Sequence, residues 1–387
     1  MTAETSRFDL KKWLRYGVTV IAAFYVYRHM ALLVFRESGR GDLDILLTAG
    51  KRFSDQQAVY LITDYSEHTK PPLLNPILAW LSQAPATWVH TFWDLLLLPL
   101  PFITLVLWCR NLKKKGAFFP TAAAIAVMGP LWFTEAGYGQ YNLVLLAITL
   151  LSLLWYSDSS SIRQHLAGVL FYFSVILKPT QILYLALFIA PIRALRRSIL
   201  FLSGIATGGL ASVAVYLWYR PWPILVSDLA QWKDFISASQ TKNIFRTDNY
   251  GIPTLLARNG VSWAQSPWIT FLGLFLAFFV WKKIRNRELA LALIIVLSIV
   301  FSPMAWRQNF VLLLPVAYEL AVKLTEDGHD LWSWLGIFSL FTLARFNPHW
   351  VSSSAMELWA TYCGPGIIAL LATIALALAS RSKRHSA

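Results

Sequence analysis

The chain has 387 residues, of which 57% are hydrophobic and only 14% are charged, and its formal net charge is +14. In a soluble globular domain roughly a quarter of the residues are charged, so the composition excludes that class. It indicates a polytopic membrane protein, because a spanning helix needs about 20 mostly apolar residues.

Twelve apolar segments follow one another along the chain and are candidate membrane spans. They lie near 13–35, 88–109, 117–135, 142–157, 166–177, 180–192, 198–218, 267–281, 288–305, 310–323, 331–346 and 361–380. The fifth and sixth are short, and either is alternatively a re-entrant or broken helix. We therefore predict an all-α bundle of about 10–13 transmembrane helices, forming a single integral-membrane domain over 1–387.

Lysine and arginine are concentrated in short loops that fall on one side of the bilayer if the predicted helices alternate. The clusters are "RNLKKK" (110–115), "RALRR" (193–197), "KKIRNR" (282–287) and the tail "RSKR" (381–384). The positive-inside rule places this side and both termini in the cytoplasm. The membrane is then an inner or plasma membrane. The net positive charge is thus a topology signal and does not indicate nucleic-acid binding.

Three longer loops, 36–87, 219–266 and 347–360, fall on the opposite, external face. They are rich in Trp, Tyr and Pro, which predicts interfacial helices that cap the membrane part. No internal repeat is visible, so the two inverted halves of many transporters receive no support.

Two carboxylates, Asp42 and Asp44, stand at the start of the first external loop, just after the first predicted span. One interpretation is a solvated loop start. A second is a D-x-D metal clamp for a nucleotide sugar, which the outward position disfavours because nucleotide sugars are cytoplasmic. The third is a general base.

A carboxylate beside an acceptor hydroxyl can remove its proton while the oxygen attacks an anomeric carbon, a contribution of roughly 10²–10⁴-fold. An outward-facing enzyme cannot reach cytoplasmic nucleotide sugars, so a polyprenyl-phosphate-linked sugar is the natural donor. The leaving phosphate needs positive charge or hydrogen-bond donors, which basic side chains supply without a metal.

The first external loop resembles that of glycosyltransferase family 87. The fragments that carry the resemblance here are Asp42, "AG" (49–50), Tyr60 and "PPL" (71–73). Three later fragments are similar to the family's Gly-Gln-x-Asn, its Ala-Gly helix ending in Lys-Pro, and its Ser-Pro-x-x-Trp. These are "GQYN" (139–142), "AGVLFYFSVILKP" (167–179) and "SPMAW" (302–306).

The resemblance implies a GT-C-type mannosyltransferase that uses a polyprenyl-phosphate-mannose donor. By the family's register Asp42, seven residues before Ala49, is the catalytic base, and Asp44 is an additional carboxylate. The chain departs from the family in having Lys70 where a Tyr usually precedes the Pro-Pro. Lys-Pro-Pro-Leu is closer to related aminoarabinose and mannose transferases.

A second departure follows the Ser-Pro-x-x-Trp fragment, where the family usually has His. Here the sequence reads Arg307, Gln308, Asn309. Both departures leave the donor sugar and any His-assisted step open.

Basic side chains on the external face are candidates for holding the donor phosphate. Lys178 ends an apolar helix just before a proline, and it either binds phosphate or snorkels to the interface. Arg307 either pairs with phosphate, or it anchors the chain at the membrane interface or pairs with an acidic side chain. Arg246 lies in the segment 240–251, which is either a lid or an ordinary surface loop.

Amides complete the candidate set. Gln140 and Asn142 could hydrogen-bond sugar hydroxyls, with helix capping as the alternative for Asn142. The remaining candidates for binding phosphate or substrate are Lys70, Gln308 and Asn309.

The sequence thus predicts an inverting membrane glycosyltransferase that moves a hexose from a lipid-linked donor to a glycolipid or cell-envelope glycan. Mannose is the favoured hexose. No P-loop or zinc motif occurs, and we expect no cofactor beyond the donor, although a divalent cation at Asp42 and Asp44 stays open. The alternatives are a flippase of lipid-linked glycans and a catalytically inactive scaffold. A flippase would place charged residues throughout the spans, whereas here they cluster on one face.

Overall fold

The computed structural model describes most of the first 326 residues of the chain. The described ranges are 10–35, 41–60, 69–189, 195–243, 249–266 and 268–326, with single helical positions at 336, 339, 367, 369, 371, 372 and 374. Within them every named element is a helix, which confirms the all-α prediction, and Asn249 and Trp306 form an isolated antiparallel bridge. The predicted span 331–346, most of 361–380 and the loop 347–360 lie outside the description.

The first half of the described chain contains eight α-helices and one 3₁₀ helix. They are α1 (Leu10–Phe35), α2 (Gly41–Ser54), the 3₁₀ helix Pro72–Leu74, α3 (Asn75–Ser82), α4 (Ala86–Leu97), α5 (Leu100–Asn111), α6 (Phe118–Tyr138), α7 (Asn142–Tyr156) and α8 (Ser161–Leu177).

The second half continues with seven α-helices and three further 3₁₀ helices among the described residues. They are the 3₁₀ helix Pro179–Leu185, α9 (Ala186–Ile189), α10 (Leu195–Tyr219), α11 (Trp222–Asn243), α12 (Ile252–Arg258), the 3₁₀ helix Ser262–Gln265, α13 (Trp268–Lys283), α14 (Arg287–Val300), the 3₁₀ helix Arg307–Leu313 and α15 (Leu314–Glu326).

Fewer helices than predicted are individually long enough to cross a bilayer. Within the described residues, the continuous stretch Ala86–Asn111 (α4 with α5) and α10 qualify by length and hydropathy, and α6 with α7 qualifies as a third if this pair, bent by 107°, counts as one span. The described part of the predicted span 180–192, up to residue 189, is a 3₁₀ helix followed by one turn of α-helix. Proline ends α8 there, since Pro179 has no N–H to donate to the helix.

The main apolar core joins α5, α6, α7, α14 and α15, and α1 packs on α6. The closest helix crossing is between α8 and α10. A Cβ at Gly168 would lie 1.9 Å from the Phe201 carbonyl oxygen, and a Cβ at Gly204 would lie 1.9 Å from the His165 carbonyl oxygen. Small residues therefore allow the two backbones to touch, as is common between membrane helices.

The outer segments predicted as interfacial helices pack on one another through a second apolar cluster. Phe53 of α2, Tyr216 of α10 and Phe235 of α11 are buried in it. Arg220, 5% exposed, donates from Nη2 to the Phe53 carbonyl at 2.8 Å and pairs with Asp228. Arg220 thus adds a second hydrogen bond to a carbonyl in the last turn of α2, which also accepts the Gln56 N–H at 3.3 Å.

A buried ionic cluster lies at the end of the bundle where α6 begins. Lys114 bonds to Glu288, and to Glu319 at 3.0 Å, and Trp108 Nε1 donates to Glu319 at 2.7 Å. Burial lowers the pKa of Lys114, but hydrogen bonds and charges from both carboxylates outweigh it and raise that pKa overall. Lys114 belongs to "RNLKKK", and Glu288 directly follows "KKIRNR". These two loops, which were predicted on the same face, therefore lie together.

Candidate active site

The candidate base lies in the first turn of α2. The helix begins at Gly41, whose φ of +21° suits glycine, and both Asp42 and Asp44 fall in its first turn. Carboxylates are stabilised there because the helix dipole is positive at its N-terminus. Gln140 Nε2 donates a hydrogen bond to Asp42 Oδ2.

The two carboxylates of α2 point in different directions. Residues two apart on a helix do not face each other, and Asp44 Oδ1 lies 2.7 Å from His90 Nε2 of α4, away from Gln140. Asp42 faces the turn between α6 and α7, while Asp44 faces α4. A clamp that uses both side chains on one ion is therefore at odds with this geometry.

A tight turn between α6 and α7 presents the "GQYN" fragment to Asp42. Gly139 adopts a left-handed conformation with φ of +67°, which ends α6 and reverses the chain. The Gln140 N–H donates to the Glu135 carbonyl at 2.9 Å, and Asn142 begins α7. Gln140 and Asn142 are thus fixed on either side of Tyr141.

Lys178 lies at the break between α8 and the 3₁₀ helix that follows it. Its ammonium donates to Asn142 Oδ1 at 2.7 Å and to Asn309 Oδ1 at 2.9 Å. An ammonium has three donors, so these two amides orient the group and use two of them. Lys178 also lies close enough to Asp42, Lys70 and Glu135 to interact with them electrostatically.

Asn309 is positioned by a hydrogen-bonded turn that includes "SPMAW". Its Nδ2 donates to the Met304 carbonyl at 2.8 Å. The turn is held by Asn249, which is fully buried and bonds to Pro303 O at 2.8 Å and to the Ala305 N–H at 2.9 Å. An asparagine from outside the fragment therefore fixes the loop that carries Asn309.

Lys70 approaches the same turn from the first external loop. Its ammonium lies 5.1 Å from the centre of the Tyr141 ring, a cation–π contact. Its carbonyl accepts a hydrogen bond of 2.8 Å from the Tyr60 hydroxyl, to which Asn75 donates at 3.3 Å. Burial raises the pKa of Tyr60 well above its usual range, so the hydroxyl stays protonated and able to donate.

The structure brings together six of the ten predicted site residues, from four separate segments of the chain. They are Asp42, Lys70, Gln140, Asn142, Lys178 and Asn309. Asp44 lies to one side with His90. Gln308 shares the 3₁₀ helix with Arg307, whose side chain is outside the described part, and Arg246 falls outside the described residues altogether.

Three residues that the sequence reasoning did not select also shape this region. Glu135 is buried beneath the α6–α7 turn, His90 pairs with Asp44, and Asn249 braces the loop before Asn309. A Glu four residues before "GQYN" is a visible signal, but its burial follows from how α6 packs. Within the described ranges, no group of three or more His, Cys, Asp or Glu side chains lies close enough together to hold a metal ion.

The fold and this cluster define a helical membrane protein with a charged, amide-lined site at one end of its bundle. Ionisable residues in such a setting are by default functional. The family model of glycosyltransferase family 87 matches residues 71–304, more than half of the chain, and the protein therefore belongs to this family. No curated protein and no solved structure matches the chain.

Family membership makes the protein a membrane glycosyltransferase with a sugar donor and an acceptor as substrates. The matched region includes Lys70's neighbours from Pro71 onward, the α6–α7 turn and Lys178. The match begins after Asp42 and ends before Asn309. These two residues contact the matched region through their hydrogen bonds to Gln140 and Lys178.

Proposed function

We propose that this glycosyltransferase transfers a hexose, most simply mannose, from a polyprenyl-phosphate-linked donor to a glycolipid or cell-envelope glycan on the external face of the membrane. Its site residues come from external loops in the predicted topology. Family membership favours transfer over the alternative of flipping lipid-linked glycans.

The observation that carries the proposal is the pairing of a carboxylate with an oriented ammonium in one cluster. Asp42 is bonded to Gln140, and Lys178, two of whose donors are fixed by amides, lies within electrostatic reach of Asp42. A base and a fixed cation within electrostatic reach of each other suit a displacement in which the acceptor hydroxyl loses its proton to the base and the leaving phosphate gains negative charge beside the cation.

In the proposed mechanism the Asp42 carboxylate takes the proton of an acceptor hydroxyl. The acceptor oxygen forms a bond to the anomeric carbon, and the bond between that carbon and the phosphate oxygen breaks with inversion. The electron pair leaves with the lipid phosphate. Lys178 and Lys70 stabilise this anion, and no metal is required.

The two lysines support a phosphate ligand over a neutral one. Lys70 and Lys178 repel each other, and an anion placed between them relieves that repulsion. Gln140 and Asn142, beside the base, remain candidates for hydrogen bonds to sugar hydroxyls. Arg307 and Arg246 remain candidates for additional phosphate contacts, and Gln308 for sugar contacts.

The test is mass spectrometry of membrane glycolipids and surface glycans from a strain that lacks the protein. We expect one glycan to lose a single hexose and to regain it on complementation with the wild type. The mass and linkage of the lost sugar identify both the donor sugar and the acceptor. Unchanged glycans together with an accumulated, mislocated lipid-linked glycan would instead support the flippase.

A further inference from the structure

Glu135 of α6 is a buried carboxylate beneath the candidate site. It is fully buried, and its Oε1 accepts a hydrogen bond of 2.9 Å from the Leu143 N–H in the first turn of α7. Among the described residues its Oε2 has no hydrogen-bond partner. Leaving a buried carboxylate oxygen unsatisfied is costly, so its retention calls for a reason beyond packing.

Capping of α7 explains only part of the arrangement. The N-cap residue Tyr141 makes no side-chain cap, and Glu135 supplies the missing acceptor from the preceding helix. Its carbonyl also accepts the Gln140 N–H at 2.9 Å. Glu135 therefore contacts both sides of the turn and fixes the backbone that carries Gln140 and Asn142. A Ser or Thr at position 141 would cap α7 without burying a charge.

The remaining feature is electrostatic. Lys178 needs compensating negative charge, because its two hydrogen-bond partners, Asn142 and Asn309, are neutral amides. The carboxylates within its electrostatic reach are Asp42 and Glu135. In the proposed reaction Asp42 becomes protonated and neutral, so it cannot balance Lys178 throughout the cycle. Glu135 is fully buried and takes no part in that proton transfer, so its interaction with Lys178 persists through the cycle.

We propose that Glu135 is a positioning residue that holds Gln140 and Asn142 in place and keeps the Lys178 ammonium charged while the donor phosphate binds and leaves. It touches no reacting atom and acts through its neighbours. This inference rests on the proposed function, since it assigns Lys178 to the donor phosphate.

A double-mutant cycle tests the inference. Glu135→Gln, Lys178→Met and the double variant are purified in nanodiscs and assayed with a polyprenyl-phosphate-linked hexose. Gln has the shape of Glu and can still accept the Leu143 N–H, so the swap removes mainly the charge. Glu288→Gln, at the other end of the bundle, is the control for loss of a buried carboxylate.

We expect Glu135→Gln to raise the donor KM about tenfold in the wild-type background, corresponding to about 1.4 kcal/mol, and less than twofold when Lys178 is already Met. A second variant, Glu135→Asp, keeps the charge and is expected to stay closer to wild type than Glu135→Gln. The same fold-change in both backgrounds, or no change in either, would show that Glu135 only caps α7 and would overturn the inference.

The melting temperatures of the same four proteins separate this inference from the proposed function. Coupling between Glu135 and Lys178 should appear there too, because the two charges interact without any donor. If the wild type transfers no hexose from lipid phosphate, the proposed function fails, and thermal coupling still decides whether the two residues act as a pair.

Discussion

At the scale of single residues, the site depends on which partner each side chain meets. Asp42 and Asp44 look equivalent in the sequence, yet the first meets Gln140 and the second meets His90. The helical spacing of α2 imposes this separation. His90, the partner of Asp44, belongs to α4. It is not equivalent to the His expected after the Ser-Pro-x-x-Trp fragment.

Replacing Lys178 with Met should weaken donor binding. Loss of a hydrogen bond to a charged group costs about 1.5–3 kcal/mol, so the KM for a polyprenyl-phosphate sugar is expected to rise about 10–100-fold. Steady-state kinetics of the purified protein measure this. Lys115→Met, in an exposed loop near the ionic cluster, is the matched control, and an equal change in both variants would remove Lys178 from the donor site.

At the scale of elements, the crossing of α8 and α10 determines where Lys178 is held. The lysine follows the last residue of α8, and α8 leans on α10 through Gly168 and Gly204. The sequence shows the glycines but not which helices they join, since small residues at four-residue spacing occur at many helix contacts. Only the folded structure shows that His165 and Phe201 present their carbonyls to these positions.

Gly204→Ala should force the two helices apart. A Cβ there would meet a backbone oxygen at 1.9 Å, and backbone cannot yield as a flexible side chain would. We expect a loss of about 1–3 kcal/mol of stability and reduced transfer, because the end of α8 moves. Thermal unfolding in detergent measures the first effect. Gly209→Ala, whose Cβ would lie 3.7 Å from the Tyr172 ring, should unfold close to wild type.

Lys114 should be the main stabilising cation at the other end of the bundle. Lys114→Met leaves Glu288 and Glu319 buried without their cation, at a cost of about 3 kcal/mol, the low end for a broken buried pair because the lysine side chain is 35% exposed. Since the folded pKa of Lys114 is raised, the lysine stays charged up to a pH of about 10.4, and its contribution is lost as the pH rises from there through the folded pKa.

Unfolding of Lys114→Met and of the wild type across pH provides the measurement. Adding Glu319→Gln to Lys114→Met should restore part of the stability, because one unpaired carboxylate is then removed. An unchanged melting temperature in the single variant would mean that water, and not Lys114, satisfies these carboxylates.

At the scale of the whole molecule, the sequence predicted an all-helical membrane protein and the convergence of four fragments. It also predicted chain breaks between 135 and 142 and near Pro179, where the structure bends α6 against α7 by 107° and ends α8. It did not predict how few of the described helices are individually long enough to span a bilayer. Hydropathy indicates which residues lie in an apolar environment. Where a helix ends depends on local backbone hydrogen bonds, such as those that the N–H groups of Gly139 and Lys178 donate.

The predicted topology places α2 outside the cell and the loop around Lys114 in the cytoplasm. In a background without the two native cysteines, Asp55→Cys should react with a membrane-impermeant maleimide on intact cells. Lys115→Cys should react only after permeabilisation. Both residues are exposed, so accessibility in the folded protein is not limiting, and the reverse labelling pattern would invert the orientation.

The most direct test of the central claim is the turnover of Asp42→Asn with a polyprenyl-phosphate-linked hexose, alongside Asp44→Asn as the matched control. Asn keeps an acceptor for the Gln140 amide and removes the base. Our account predicts that kcat falls roughly 10²–10⁴-fold in Asp42→Asn, at an unchanged melting temperature, and that Asp44→Asn retains most of its activity. Full activity in Asp42→Asn would contradict the account, and a selective loss in Asp44→Asn would transfer the role of base to the Asp44–His90 pair.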